Sequence, residues 1–157
     1  MATDRVVVGC DHAAIAGKRT VVEALAELGL ETEDMGTGDE TSVDYPDYAV
    51  LVAEAVATGQ ASRGVLLCGT GIGMSIAANK IDGVRAALVH DLTGARMSRL
   101  HNDANVLVLG GAVLGDRLIK DIVKTWFETG FEGGRHERRV GKIAEIERRT
   151  RASGPKP

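Results

Sequence analysis

Cys68 closes a short apolar run, Gly64-Val65-Leu66-Leu67-Cys68, and is followed by Gly69-Thr70-Gly71-Ile72-Gly73-Met74-Ser75. A thiol set just before alternating glycines can do definite chemistry. The glycines let backbone N–H groups crowd round a ligand oxygen, and the start of the next helix adds partial positive charge. A thiolate held there is stabilised by the same field. It can take a proton from a carbon beside a carbonyl while the amides from Gly69 to Gly73, Ile72 included, hold the enediolate oxygen. Thr70 can pass a proton between adjacent oxygens. Two other uses of the residue stay open: the nucleophile of a Cys–His hydrolase, or a small buried cysteine in a tight strand-to-helix turn.

Other polar residues gather at comparable places. Asp11-His12 follows Arg5-Val6-Val7-Val8-Gly9, and His90-Asp91 follows Val84 to Val89. Asp11 and a histidine could open a cyclic sugar. Arg135 and Arg139 stand four apart on one helix face, a fork suited to phosphate or simply a solvated basic face. His90, Asp91, His101 and His136 show no tight ligand spacing, so no metal site is expected. The glycines are not followed by the lysine of a phosphate-binding loop, and their spacing fails the dinucleotide fingerprint.

The elements that must position these groups alternate in type. Strands are expected at Arg5–Gly9, Leu30–Met35, Gly64–Cys68, Val84–Val89 and Val106–Leu109. Helices are expected from Ala14 to Leu28, from Pro46 to Thr58, after Ser75, from a Thr93 cap to Leu100, from Asp116 to Thr129 and from Arg135 to Arg149. Leu30–Met35 carries acids and reads as an edge strand. Leu118, Ile122 and Trp126 recur every fourth residue, as do Ile119, Val123 and Phe127, which suggests a helix buried on much of its surface. Alternation of this kind gives an α/β parallel sheet covered on both faces, with ligands bound outside the carboxyl ends of its strands. Gly36–Asp44 has the length of a flap, and Gly133-Gly134 reads as a hinge. His101 sits in the turn entering the last strand, at the opposite edge from Cys68, so it would join the site from a second subunit.

The chain has 157 residues and a net charge of −3, enough for one domain with a full core and giving no reason to expect nucleic acid or a membrane as partner. Residues 1–151 read as that domain and 152–157 as a disordered tail. Two cysteines are too few for a disulfide scaffold. With no signal-peptide pattern and no long apolar run, the expected setting is the cytoplasm.

Gly9-Cys10-Asp11-His12, Asp44-Tyr45-Pro46, Cys68-Gly69-Thr70-Gly71-Ile72-Gly73, Ala77-Ala78-Asn79-Lys80, His101-Asn102-Asp103-Ala104-Asn105 and Gly133-Gly134-Arg135-His136 occur in order. As a set they resemble the type B ribose-5-phosphate isomerase and galactose-6-phosphate isomerase family over about Val6 to Arg149. The resemblance implies a three-layer α/β/α sandwich with a five-stranded, Rossmann-like parallel sheet and a C-terminal helix extending to a partner subunit. It implies a homodimer, possible pairing of dimers into a tetramer, and shared active sites. The implied reaction is aldose–ketose isomerisation of a sugar phosphate with no metal or coenzyme. Cys68 would be the base and the partner subunit's His101 the ring-opening acid, with Asp11 beside it. The amides of Gly69 to Gly73 would hold the enediolate and Asn102 the sugar. His12, Arg135 and Arg139 would meet the phosphate, and Tyr45 would line the pocket.

Two positions refine the expectation. One branch of the family uses a glutamate after the third loop glycine; here that residue is Met74, which accepts no proton, so the task falls to Cys68. Many members carry an arginine after the fifth strand where this chain has Ala112. Ribose 5-phosphate is the first expectation for the substrate. A hexose or tetrose phosphate, or a binding protein that has kept the fold, are the alternatives.

Overall fold

The computed structural model describes residues 4–154. Five parallel strands form one sheet in the order β2-β1-β3-β5-β4. They are β1 (Arg5–Cys10), β2 (Glu31–Asp34), β3 (Arg63–Cys68), β4 (Ala86–Leu88) and β5 (Val106–Gly110). The central three are buried along nearly their whole length, because each side of the sheet is covered by helices. On one face Val6, Val8, Leu67, Leu107 and Leu109 pack against α1 (Ile15–Glu27) and α5 (Asp116–Glu128). On the other, Val7, Leu66, Val106 and Val108 pack against α2 (Tyr45–Ala57) and α3 (Ile72–Ala78). This is the expected three-layer architecture.

The wide apolar face of α5 is real: Ile119, Ile122, Val123 and Trp126 are all fully buried. Strand β2 lies at one edge, where Glu33 pairs with Arg5. Strand β4, at the other, is shorter than the apolar run suggests. The Asn79 side chain takes its place beside a neighbour, accepting from Ala86 N–H and donating to Ala86 O, both at 2.9 Å. Bonding of this kind caps an edge that would otherwise present open backbone groups.

Two helix starts differ from expectation. Asp91, not Thr93, caps α4 (Leu92–Leu100), its carboxylate accepting from Gly94 N–H at 2.7 Å. Helix α3 begins at Ile72 rather than after Ser75, so Gly73 lies inside it. The left-handed Gly71, with φ of 79°, turns the chain straight into the helix. Helix α6 (Arg135–Ala152) folds back on the body, where Glu147 accepts from Gly83 N–H at 3.1 Å and Arg151 pairs with Asp82. Of the expected tail, Ala152 still belongs to α6, and 155–157 lie outside the described residues.

Candidate active site

Cys68 ends β3 with 5% of its surface exposed. Gly71 N–H donates to its Sγ at 3.1 Å. The peptide carbonyls on this side are tied away from the thiol: Cys68 O accepts from Gly111 N–H and Gly69 O from Ala112 N–H, each at 2.9 Å. Gly71 could not be another residue. Its φ is positive, and a Cβ there would lie 3.0 Å from the Leu109 backbone. At Gly73 a Cβ would strike the Tyr45 ring at 2.4 Å. Tyr45 therefore lies across the first turn of α3. Two of the amides assigned to the enediolate are engaged within the loop, Gly71 N–H by Cys68 and Ile72 N–H by Thr70 Oγ1 at 3.3 Å.

Strand β1 delivers its pair alongside, since it is hydrogen-bonded to β3. Asp11 is nearly buried; its backbone N–H reaches Leu67 O at 3.3 Å and its carboxylate accepts from Ala13 N–H at 3.0 Å. His12 Nδ1 accepts from Val43 N–H at 3.1 Å, which leaves the ring proton of the neutral form on Nε2. The same bond pins the end of the Gly36–Asp44 loop. Its beginning is held by buried Lys18, whose Nζ donates to Thr37 O at 2.9 Å and pairs with Asp34 at 2.8 Å.

The remaining expected residues are elsewhere. His101 caps the C-terminus of α4 and Asn102 follows it, ahead of β5. Gly110, in register with Cys68, is at the far end of that strand. At about 3.3 Å per residue, β5 puts roughly 13 Å between the two levels. Arg135 and Arg139 are exposed on the first turns of α6. Within one chain the expected site is thus split into two halves at opposite edges of the sheet. His90 is exposed after β4, at the carboxyl edge of the sheet.

His136 is a residue that spacing did not single out beyond a doubtful metal role. It stacks on His101, and with Glu132 the two histidines bring ligand atoms within 4.8 Å of one another. The rings are only 7° from parallel, with centroids 4.1 Å apart. Lone pairs lying in two such separate planes do not converge on one ion at the 2.0–2.1 Å typical of zinc–histidine bonds.

Fold and site together define a parallel α/β enzyme with a thiol and acid–base groups at the carboxyl edge of its sheet. The family model described as Ribose/Galactose Isomerase matches residues 6–143. A ribose-5-phosphate isomerase B from Escherichia coli is 47% identical over 92% of this chain and 97% of its own. A D-erythrulose-4-phosphate isomerase from Pectobacterium atrosepticum is 43% identical over 90% of this chain and 94% of its own. The solved structure of Clostridium thermocellum ribose-5-phosphate isomerase B superposes with a TM-score of 0.90 at 51% identity, covering 92% and 98% of the two chains. The chain belongs to the ribose/galactose isomerase family. It is a sugar-phosphate isomerase of the aldose–ketose type.

Proposed function

We propose that this enzyme interconverts ribose 5-phosphate and ribulose 5-phosphate, as a cytoplasmic homodimer with residues 1–151 acting as one catalytic domain. The observation that carries the reading is the Cys68 thiol at the carboxyl end of β3, bonded by Gly71 N–H and flanked by Asp11 and His12. The partner subunit's His101 gives a proton to the ring oxygen while Asp11 takes the one on the C1 hydroxyl, and the sugar opens. Cys68 thiolate removes the C2 proton, leaving an enediolate held by the loop amides. Thr70 moves a proton between O2 and O1, and Cys68 returns its proton to C1, forming the ketose. His12, Arg135 and Arg139 of the two subunits hold the phosphate, and Asn102 a sugar hydroxyl. Dimerisation is favoured by the split of these groups between two edges. It is favoured too by the exposed Ile72, Ile76 and Leu92 around the carboxyl edge. Among the described residues no helix is long and apolar enough to cross a membrane.

A tetrose 4-phosphate is the second reading, favoured by the name of the Pectobacterium relative. Ala112 bears on it: the residue is exposed after β5 and offers no charge to a phosphate at that point. Ranking kcat/KM over pentose, tetrose and hexose phosphates tests both. Ribose 5-phosphate should lead, and a tenfold preference for the tetrose would replace it. Absence of solvent exchange at C2 with every aldose phosphate would remove the mechanism.

A further inference from the structure

His136 has no task in the mechanism above, yet it is held with care. Only 3% of it is exposed. Glu132 N–H donates to Leu100 O at 3.1 Å, tying the α5–α6 connection to the end of α4. Gly133 and Gly134 follow with φ of 71° and 56°, a left-handed pair that turns the chain at once into α6. His136 then lies flat on His101, and Arg135 Nε donates to its Nε2 at 3.3 Å.

That last bond sets the tautomer: Nε2 accepts, which places the ring proton of the neutral form on Nδ1. Burial first, then the neighbouring His101, hold His136 below the usual imidazole range; Arg135 and Arg139 act in the same direction and Glu132 against it. His101 is placed differently. Its side chain is 37% exposed and its Nε2 is 3.8 Å from Glu132 Oε2. Of the two stacked rings, His101 is the more exposed and has the Glu132 carboxylate beside its Nε2.

We propose that His136 is a positioning residue for His101: a neutral ring that fixes the plane of the acid and leaves the positive charge of the pair to His101, with Glu132 orienting its Nε2. The proposal rests on His101 being the ring-opening acid. The torsion that turns an imidazole is intrinsically broad, and a flat wall narrows it. A misplacement of about 1 Å at a reacting group can cost 10²-fold in rate. His136 touches no substrate in this scheme and acts only through its neighbour.

The substrates themselves separate the steps. Ribose 5-phosphate is cyclic and must be opened. Ribulose 5-phosphate cannot close a furanose, because its C5 oxygen carries the phosphate. Exchange of its C1 hydrogen with deuterated water therefore needs Cys68 but no ring opening. His136→Asn should slow turnover of ribose 5-phosphate roughly ten- to a hundredfold and leave C1 exchange within about twofold. It should also move the His101 ring-proton signals downfield as the ring current is lost. His136→Phe, which keeps a flat ring, should restore most of the aldose rate. Equal loss in both assays, an unchanged aldose rate, or unmoved His101 signals would overturn the proposal. Nitrogen NMR of the wild-type dimer decides even if the variants misfold. His136 should be the neutral Nδ1–H tautomer, and an Nε2–H or doubly protonated His136 overturns it. If His101→Asn retains aldose turnover, the acid reading itself fails and takes this role with it, whatever the stack does.

Discussion

The ends of β1 and β3 lie side by side, and each carries a cysteine with the opposite fate. Cys10 is in register with Leu67, so it points toward α1 and α5; Cys68 is one residue further along and points toward α2 and α3. Cys10 has no exposed surface. Thr37 N–H reaches its carbonyl at 3.2 Å, and Gly36 packs so close that a Cβ there would sit 3.1 Å from its sulfur. Burial pushes the Cys10 thiol from 9.0 up to about 11, with Lys18 partly opposing. Cys68 retains some exposure and receives the Gly71 N–H. A thiol at a strand end is thus not reactive by position. The pleat chooses its face, and the segment that follows decides how far it is covered.

The largest expected effect comes from removing Cys68, the proposed base. Cys68→Ser should lower kcat for aldose phosphate isomerisation by roughly 10²–10⁴-fold, the range of a positioned proton-transfer group. Substrate affinity, read by calorimetry, should change little. Cys10→Ser should leave kcat near wild type, and a comparable loss there would erase the distinction between the two strand ends.

The glycines beside the two thiols should separate chemistry from stability. Gly71→Ala forces a side chain into a left-handed backbone against Leu109. It should cost about 1–3 kcal/mol in urea unfolding and also lower kcat, because the Gly71 N–H leaves the sulfur. Gly36→Ala would place its Cβ 2.8 Å from Cys10 N. Overpacking there should cost about 1–3 kcal/mol while kcat per folded enzyme stays unchanged.

Much of this could be read from residue order. β1, β3 and β5 are buried on both faces, so they are continuous apolar runs, and α5 shows its core-facing stripes. The topology rule alone separates His101 from Cys68. The edges were less legible, for a physical reason. β4 is short, and its open side is met at Ala86 by the side chain of Asn79, which mimics a neighbouring strand. The start of α3 depends on one left-handed glycine. The His101–His136 stack accompanies contacts between segments distant in the chain, Leu100 with Glu132 and Arg99 with Thr129, and no local pattern announces it.

Labelling compares the thiols directly. At pH 8 iodoacetamide should modify Cys68 and spare Cys10, as peptide mass mapping would show, since the thiolate is the reacting species and Cys10 holds its proton. A sugar phosphate should slow the reaction. Modification of Cys10 at an equal rate would mean that the cover of Gly36 and Thr37 opens readily.

The smallest effect is on stability in alkali, and its sign follows from the raised Cys10 thiol. Unfolded, the thiol loses its proton near 9.0; folded, it keeps it until about 11. Between those values the native state binds more protons, so stability falls as pH rises through the window and is unaffected by this group below it. Urea midpoints at pH 8, 9, 10 and 11 should therefore decline less steeply for Cys10→Ala than for wild type. Subtracting the two curves removes every group that the two proteins share. Parallel curves would show that Cys10 is as solvated as an ordinary thiol, and the contrast between the two strand ends would then reduce to the glycine loop alone.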